Sequence, residues 1–118
     1  MSPDERQSLF QRALAELTRQ RTGYVLFADG DWGDNYAEVN SAFVAEVSHR
    51  RWPACKLPPV SPAALTRLSV LGFRETERNP AQSYAGWSFP RMSKNLESVF
   101  LEVYGCAPTF ELKVTVGK

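Results

Sequence analysis

The chain has 118 residues, of which 43% are hydrophobic and 23% charged, and its 14 basic and 13 acidic side chains give a formal net charge of +1. These values are typical of a globular domain and exclude intrinsic disorder. No run approaches the 18 apolar residues of a membrane-spanning helix, and the near-neutral charge disfavours a dedicated nucleic-acid-binding protein. No linker or repeat divides the sequence, so we expect a single domain over residues 1–118.

The N-terminal segment predicts a helix over about residues 3–21. Ser2 and Glu5 have the spacing of a capping box, and Pro3 stands at the first helical position. Gly23 is the expected end of the helix. Apolar residues recur between these limits at helical spacing, at Leu9, Phe10, Ala13, Leu14 and Leu17.

Three strands are predicted between about residues 24 and 49. An apolar run over 24–28 precedes a loop rich in aspartate and glycine, which is a strong hairpin signal. Residues 36–40 alternate loosely, and residues 43–48 place alternate apolar side chains on one face. The pattern indicates a three-stranded antiparallel meander.

A proline-rich connection and a second helix follow the meander. Four of the eight prolines lie between residues 50 and 62, and proline cannot donate to a strand ladder. Ser61 and Pro62 then begin a helix in the manner of Ser2 and Pro3, and Gly72 is its expected end.

The last third of the chain predicts one more helix and one more strand. Residues 73–90 fit either a short strand or a loop pinned by aromatic residues. A helix is predicted over about 91–104, and residues 110–116 alternate as a half-buried strand does. The predicted order is therefore αβββααβ, an α+β two-layer sandwich with helices on one face of a mainly antiparallel sheet.

The loop after the first strand contains the acidic residues Asp29, Asp31 and Asp34, which could hold a hard cation. The loop lacks the downstream glutamate of an EF-hand, and its two glycines explain it as a hairpin. We therefore expect no metal site. A metal-assisted enzyme that uses these three aspartates is kept as an alternative.

The sequence contains no pattern typical of catalysis. His49 is the single histidine and has no nucleophilic partner in sequence, because alternation points Ser48 to the opposite face. Glycine-rich phosphate loops, metal-ligand spacings and nucleophile elbows do not occur. We predict that the protein is not an enzyme, has no catalytic residues and needs no cofactor.

Loop tryptophans are the best candidates for partner binding. Trp32 lies in the acidic hairpin loop, and Trp52 follows Arg50 and Arg51. Large rigid rings outside apolar stripes are typical of protein interfaces. We predict that these four residues contact a partner, whereas Trp87 is predicted to pack in the core. An alternative for the group at 50–52 is a nucleic-acid accessory module.

No signal peptide is expected, because neither a basic start nor an apolar stretch occurs in the first residues. Cys55 and Cys106 are far apart and lack a partner pattern, which fits reduced thiols better than a disulfide framework. We therefore expect a cytoplasmic protein.

The chain resembles the TY-Chap group, small bacterial domains similar to type III secretion chaperones and YbjN-like proteins. The resemblance lies in the strand at 43–48, the proline-broken loop, the helix from Ser61 that ends in Leu71-Gly72-Phe73, and the close of the last helix at 102–105. It covers most of residues 24–116.

This resemblance implies a type III secretion chaperone-like fold that binds an extended peptide or a partner protein and carries no catalysis. It supplies no catalytic residues to carry over. Chaperones of this shape commonly form homodimers, and a homodimer stays an open alternative here. The predicted function is a chaperone or adaptor that holds a segment of a client protein, with a secretion-related client as one option.

Overall fold

A computed structural model of the chain describes residues 1–20, 23–30, 34–51 and 55–117. These described residues form three helices and five strands. In order they are α1 (Pro3–Leu17), β1 (Tyr24–Asp29), β2 (Tyr36–Asn40), β3 (Val44–Val47), α2 (Pro62–Val70), β4 (Ala81–Ser83), α3 (Phe89–Ser98), which continues as a π-helical segment (Val99–Val103), and β5 (Leu112–Gly117). Among the described helices, none is both long enough and apolar enough to cross a bilayer.

The five strands form one antiparallel sheet in the order β4-β3-β2-β1-β5. The α+β class and the predicted meander are confirmed, and the last strand pairs with β1. The predicted order αβββααβ omits β4, which lies between α2 and α3. Its three residues carry no alternating apolar pattern, and it is held by pairing with β3 and by the side chain of Gln82, which donates to Leu71 O at 3.1 Å and Asn95 Oδ1 at 2.9 Å.

Each helix begins at a serine. The hydroxyls of Ser2, Ser61 and Ser88 accept hydrogen bonds from backbone N–H groups of the first turn, and a proline stands at the first or second helical position. Ser88 therefore starts α3 earlier than the predicted residue 91. The predicted extension of α1 to residue 21 is wrong, because Thr18 caps the helix and donates its hydroxyl to Ala15 O at 2.6 Å.

All three helices lie on one side of the sheet. Helix α1 packs on β1, β5 and α3, while α2 packs on the π-helical segment. The Phe10 ring of α1 lies 4.9 Å from that of Phe27 in β1. The strand residues that point toward the helices are fully buried, namely Val25, Phe27, Ala37, Val39, Ala45 and Val47. This arrangement is the predicted two-layer sandwich.

A buried arginine joins three segments of the helical layer. The Arg6 side chain is 0% exposed, and its guanidinium donates to Glu97 of α3 at 2.7–3.0 Å. It also donates to the carbonyl oxygens of Met1, Pro108 and Phe110 at 2.8–2.9 Å, and it lies 4.2 Å from the Phe110 ring centroid. All three nitrogens of the buried guanidinium thus donate hydrogen bonds.

Leu14 tests whether α1 belongs to the core. Because its side chain is 0% exposed, we expect Leu14→Ala to lower the free energy of unfolding by about 2–5 kcal/mol. Urea denaturation measures this loss, with Val70→Ala in α2, 68% exposed, as the control that changes little. A loss for Leu14→Ala below about 0.5 kcal/mol would show that α1 is peripheral.

Arg6 tests the joint between α1, α3 and the segment before β5. We expect Arg6→Ala to cost about 3–5 kcal/mol, because Glu97 and three carbonyl oxygens lose their donors in a buried place. Arg6→Lys should recover less than half of the loss, since an ammonium cannot reproduce the planar fork of five donors. Chemical denaturation provides the measurement, and Arg12→Ala, on the exposed side of the same helix, is the control. Equal losses for the two positions would contradict the assignment.

Candidate functional site

The predicted site residues fall into two groups. Trp32 and Trp52 lie outside the described residues, as does Asp31 of the acidic loop, so the partner contacts of the two tryptophans stay a prediction. Arg50 and Arg51 are described, and the structure gives them different roles.

Arg50 is engaged within the protein. Its Nε donates to Asn35 Oδ1 at 2.7 Å, and its Nη2 lies 3.4 Å from Tyr104 O. The guanidinium also lies 5.3 Å from the Tyr104 ring centroid. The residue has a φ of 58°, a left-handed conformation that is uncommon outside glycine. Arg50 therefore connects the end of β3 to the β1–β2 hairpin and to the π-helical segment.

Arg51 is exposed and lies beside the single histidine. His49 Nδ1 accepts a hydrogen bond from Arg51 N at 2.9 Å, so the proton of the neutral ring is on Nε2, which donates to Arg78 O at 3.0 Å. The small cavity next to His49, about 140 Å³, is also lined by Glu75 and Glu77. Acidic and basic groups alternate there, which does not favour the uniform positive surface of a nucleic-acid site.

The two described aspartates of the acidic loop are occupied by protein donors. Asp34 Oδ2 accepts from the backbone N–H groups of Lys56 and Leu57, both at 2.8 Å, and so fixes the middle of the proline-rich connection. Asp29 Oδ2 accepts from Asn35 Nδ2 at 3.3 Å. Among the residues that the structure describes, no three His, Cys, Asp or Glu side chains come together as a metal site would require. Asp29 and Asp34 therefore give the metal alternative no support.

Cys106 is held in its thiol form. Burial and the carboxylate of Asp29, to which its Sγ donates at 3.1 Å, raise the pKa of Cys106 to about 12. A thiol with this pKa is almost fully protonated at neutral pH, whereas nucleophilic cysteines have a lowered pKa. Cys106 is thus a hydrogen-bond donor to the hairpin loop.

The raised pKa of Cys106 can be measured through the reactivity of its thiol. With a pKa of about 12 instead of 9, the thiolate fraction at pH 8 is roughly a thousandfold smaller. We expect iodoacetamide to alkylate Cys106 correspondingly slowly in the folded protein, as followed by mass spectrometry, and rapidly in urea. Asp29→Asn should raise the folded-state rate, because it removes a neighbouring negative charge. Equal rates in the folded and unfolded chains would contradict the burial of the thiol.

The sheet face opposite the helices keeps solvent contact. Alternate strand residues point to this face, which we call the open face. It contains apolar and aromatic side chains with partial exposure, Tyr24, Leu26, Tyr36 and Val44, and the carboxylates of Glu38 and Glu46. No helix of the described ranges packs on it. The open face therefore offers apolar surface beside acidic groups.

Glu38 and Glu46 stand directly opposite each other in β2 and β3. Both are partly buried, and neither has an ion-pair partner within 4.0 Å among the described residues. Like charges at opposed positions of an antiparallel pair destabilise a sheet. This acidic pair was not identified from the sequence, although alternation along residues 43–48 placed Glu46 away from the core.

The edges of the sheet differ. Strand β4 has only three residues, whereas β5 has six and pairs on one side only, with β1. Val116 of β5 is 48% exposed. A long unpaired edge leaves backbone N–H and C=O groups available to another chain.

Aromatic residues surround the β2–β3 turn and pack against the core. Phe43 has a φ of 58°, at the left-handed position after the turn that glycine usually takes. Its ring lies 6.4 Å from that of Phe89 and borders a cleft of about 310 Å³ that Trp87 also lines. Trp87 packs against the core as predicted, with its ring 4.9 Å from that of Tyr84.

The chain was compared with family models, with curated proteins and with solved structures, and it matches none of them. The resemblance to the TY-Chap group therefore stays a prediction.

The repulsion within the acidic pair can be tested by measuring the free energy of unfolding. We expect Glu38→Gln to raise the free energy of unfolding by about 0.2–1 kcal/mol at low salt, because it removes repulsion across the strands. Adding Glu46→Gln should contribute little more, since one neutral partner already removes the repulsion. Urea titration in low and high salt measures the gain, which should shrink as salt increases. A loss of stability in the single variant would mean that Glu38 has a stabilising partner.

Proposed function

We propose that the protein is a non-enzymatic, chaperone-like adaptor that holds a segment of a client polypeptide on the open face. The observation that carries this proposal is the one-sided sheet, whose helices cover one face while the other keeps tyrosine, leucine and valine side chains in contact with solvent. Apolar surface that a fold leaves uncovered is typical of protein-binding sites.

The geometry suits a bound segment. Side chains of the segment would pack between Tyr24 and Tyr36, which lie at opposite ends of β1 and β2 in the sheet register. The floor between them includes Leu26 and the small residues Ala28 and Thr115. Thr115 lies in β5, whose outer edge is unpaired. The bound segment could therefore continue past this edge or pair with it as an additional strand.

Other observations agree with a binding protein. The carboxylates of Asp29 and Asp34 are taken up by internal hydrogen bonds, Cys106 is protonated, and His49 bridges two loops. None of these groups has the arrangement of a nucleophile and its base. The resemblance to the TY-Chap group implies the same kind of function, with a client that takes part in secretion as one option.

Two further parts of the proposal concern the compartment and the loop residues. Both cysteines are free thiols, which supports a reducing compartment such as the cytoplasm. Trp32, Trp52 and Arg51 are proposed to extend the client-binding surface from the loops. Arg50 would act on this surface indirectly, because its contacts with Asn35 and Tyr104 hold the end of β3 in place.

A peptide library tests the proposal. We expect the protein to bind a subset of cellulose-bound random twelve-residue peptides. Soluble copies of those peptides should shift amide NMR resonances of β1, β2 and β3. Leu26→Ser, which removes apolar surface from the open face, should weaken binding at least fivefold, because such anchors dominate interface energy.

Val70→Ser is the matched control, because Val70 is an exposed apolar residue of α2, in the helical layer. Its binding should equal that of the unmodified protein. Shifts confined to β5 would indicate strand addition at the edge instead. An absence of binding up to millimolar peptide would refute the proposed function.

A further inference from the structure

The open face carries its two carboxylates side by side. The sheet register aligns Thr115, Leu26, Glu38, Glu46 and Ala81 in a row across all five strands. The two carboxylates occupy the second and third strands from the β4 edge, between Ala81 and Leu26. The negative charge therefore lies inside the surface, where a bound segment would cover it, and not at its edge.

No cation of the described residues lies within ion-pair distance of Glu38 or Glu46, because the described ion pairs involve Glu16, Glu97 and Glu102, all in the helical layer. The nearest basic residues in the sheet register lie two strands away. Lys113 of β5 is two strands and two register positions from Glu38, and Arg74, which bridges to Ala81, is two strands from Glu46 in the same row. Partial burial strengthens the repulsion between Glu38 and Glu46, because fewer water molecules screen it.

We infer that the open face recognises a basic, apolar-flanked segment of another protein, in which a lysine or arginine lies between Glu38 and Glu46. This inference rests on the proposed function and adds the chemistry of the client. A cation at that position would pair with both carboxylates and remove their repulsion, while neighbouring apolar side chains contact Leu26 and Val44. An arginine can also bind a carboxylate through two parallel hydrogen bonds.

A second copy of this chain does not fit the same face. Two open faces brought together would place four carboxylates near one another in a partly dehydrated interface, and like charges across an interface oppose association. Charge complementarity therefore selects a different, basic partner.

Three matched peptides test the inference. Each has ten residues with leucine at alternate positions, and lysine, glutamine or glutamate between the leucines. We expect the lysine peptide to bind most tightly and the glutamate peptide most weakly, as measured by fluorescence anisotropy at 50 mM salt. Higher salt should reduce the difference.

Variants of the acidic pair identify the cause. Glu38→Gln with Glu46→Gln should weaken binding of the lysine peptide by roughly tenfold and leave the glutamine peptide unchanged. Glu38→Lys with Glu46→Lys keeps a like-charge pair in the sheet and should transfer the preference to the glutamate peptide. Glu16→Gln, in α1 on the other layer, is the control that changes nothing.

The outcomes separate the two proposals. Equal binding of the three peptides, or binding that survives the loss of both carboxylates, would overturn the inference and leave the proposed function in place. A failure of all three peptides and of the random library would overturn the proposed function as well. A stable dimer in sedimentation that dissociates when Glu38 and Glu46 are changed to lysine would assign the face to a second copy and overturn the inference.

Discussion

The buried guanidinium of Arg6 is the constraint on which the helical layer depends. A charge that is removed from water is tolerated only where hydrogen bonds and an opposite charge replace its hydration. Arg6 meets this requirement with Glu97 of α3 and with the carbonyl oxygens of Met1, Pro108 and Phe110. The first helix, the third helix and the approach to β5 must therefore come together for any of them to be in place.

This joint has a consequence for the sheet. With α1 and α3 fixed to the segment before β5, α1 lies over β1 and β5 with α3 beside it, and the sheet acquires an inner and an outer face. The inner face is made of fully buried apolar residues such as Phe27 and Val39. The outer face receives no such cover from the described helices. One-sided packing thus leaves the mixed apolar and acidic surface on which the proposed function rests.

Local patterns predicted most of the fold. The serine caps, the apolar stripe of α1 and the alternating strands are decided by neighbours in sequence, so they can be recognised without knowledge of tertiary contacts. For residues 73–90 the sequence could not decide between a short strand and a loop, because Gln82 of β4 is held by distant partners in α3 and at the end of α2. The same holds for Arg6, whose partners lie about ninety residues or more away in sequence, Met1 excepted.

The candidate site was harder to predict than the fold, for a related reason. Arginine and tryptophan at residues 50–52 suggest a binding surface from composition alone, yet Arg50 is directed inward by contacts with Asn35 and Tyr104 that only the folded chain creates. For Glu46, alternation along residues 43–48 predicts the face, but only the register of the folded sheet places Glu38 directly opposite it.

An opposed pair of carboxylates is unfavourable for the sheet itself, because the nearby cross-strand contacts at Ala37–Val47 and Val39–Ala45 already bury the core face without them. Two glutamines would occupy the same positions with less repulsion. The acidic pair therefore gives the isolated domain no more stability than a neutral pair would. Under the inference above, its energetic advantage arises when a cation lies between the two carboxylates. Such a surface lowers the stability of the free domain and raises its affinity for a charged ligand. Binding faces show this combination, because specificity for one partner comes from groups that have no partner until it binds.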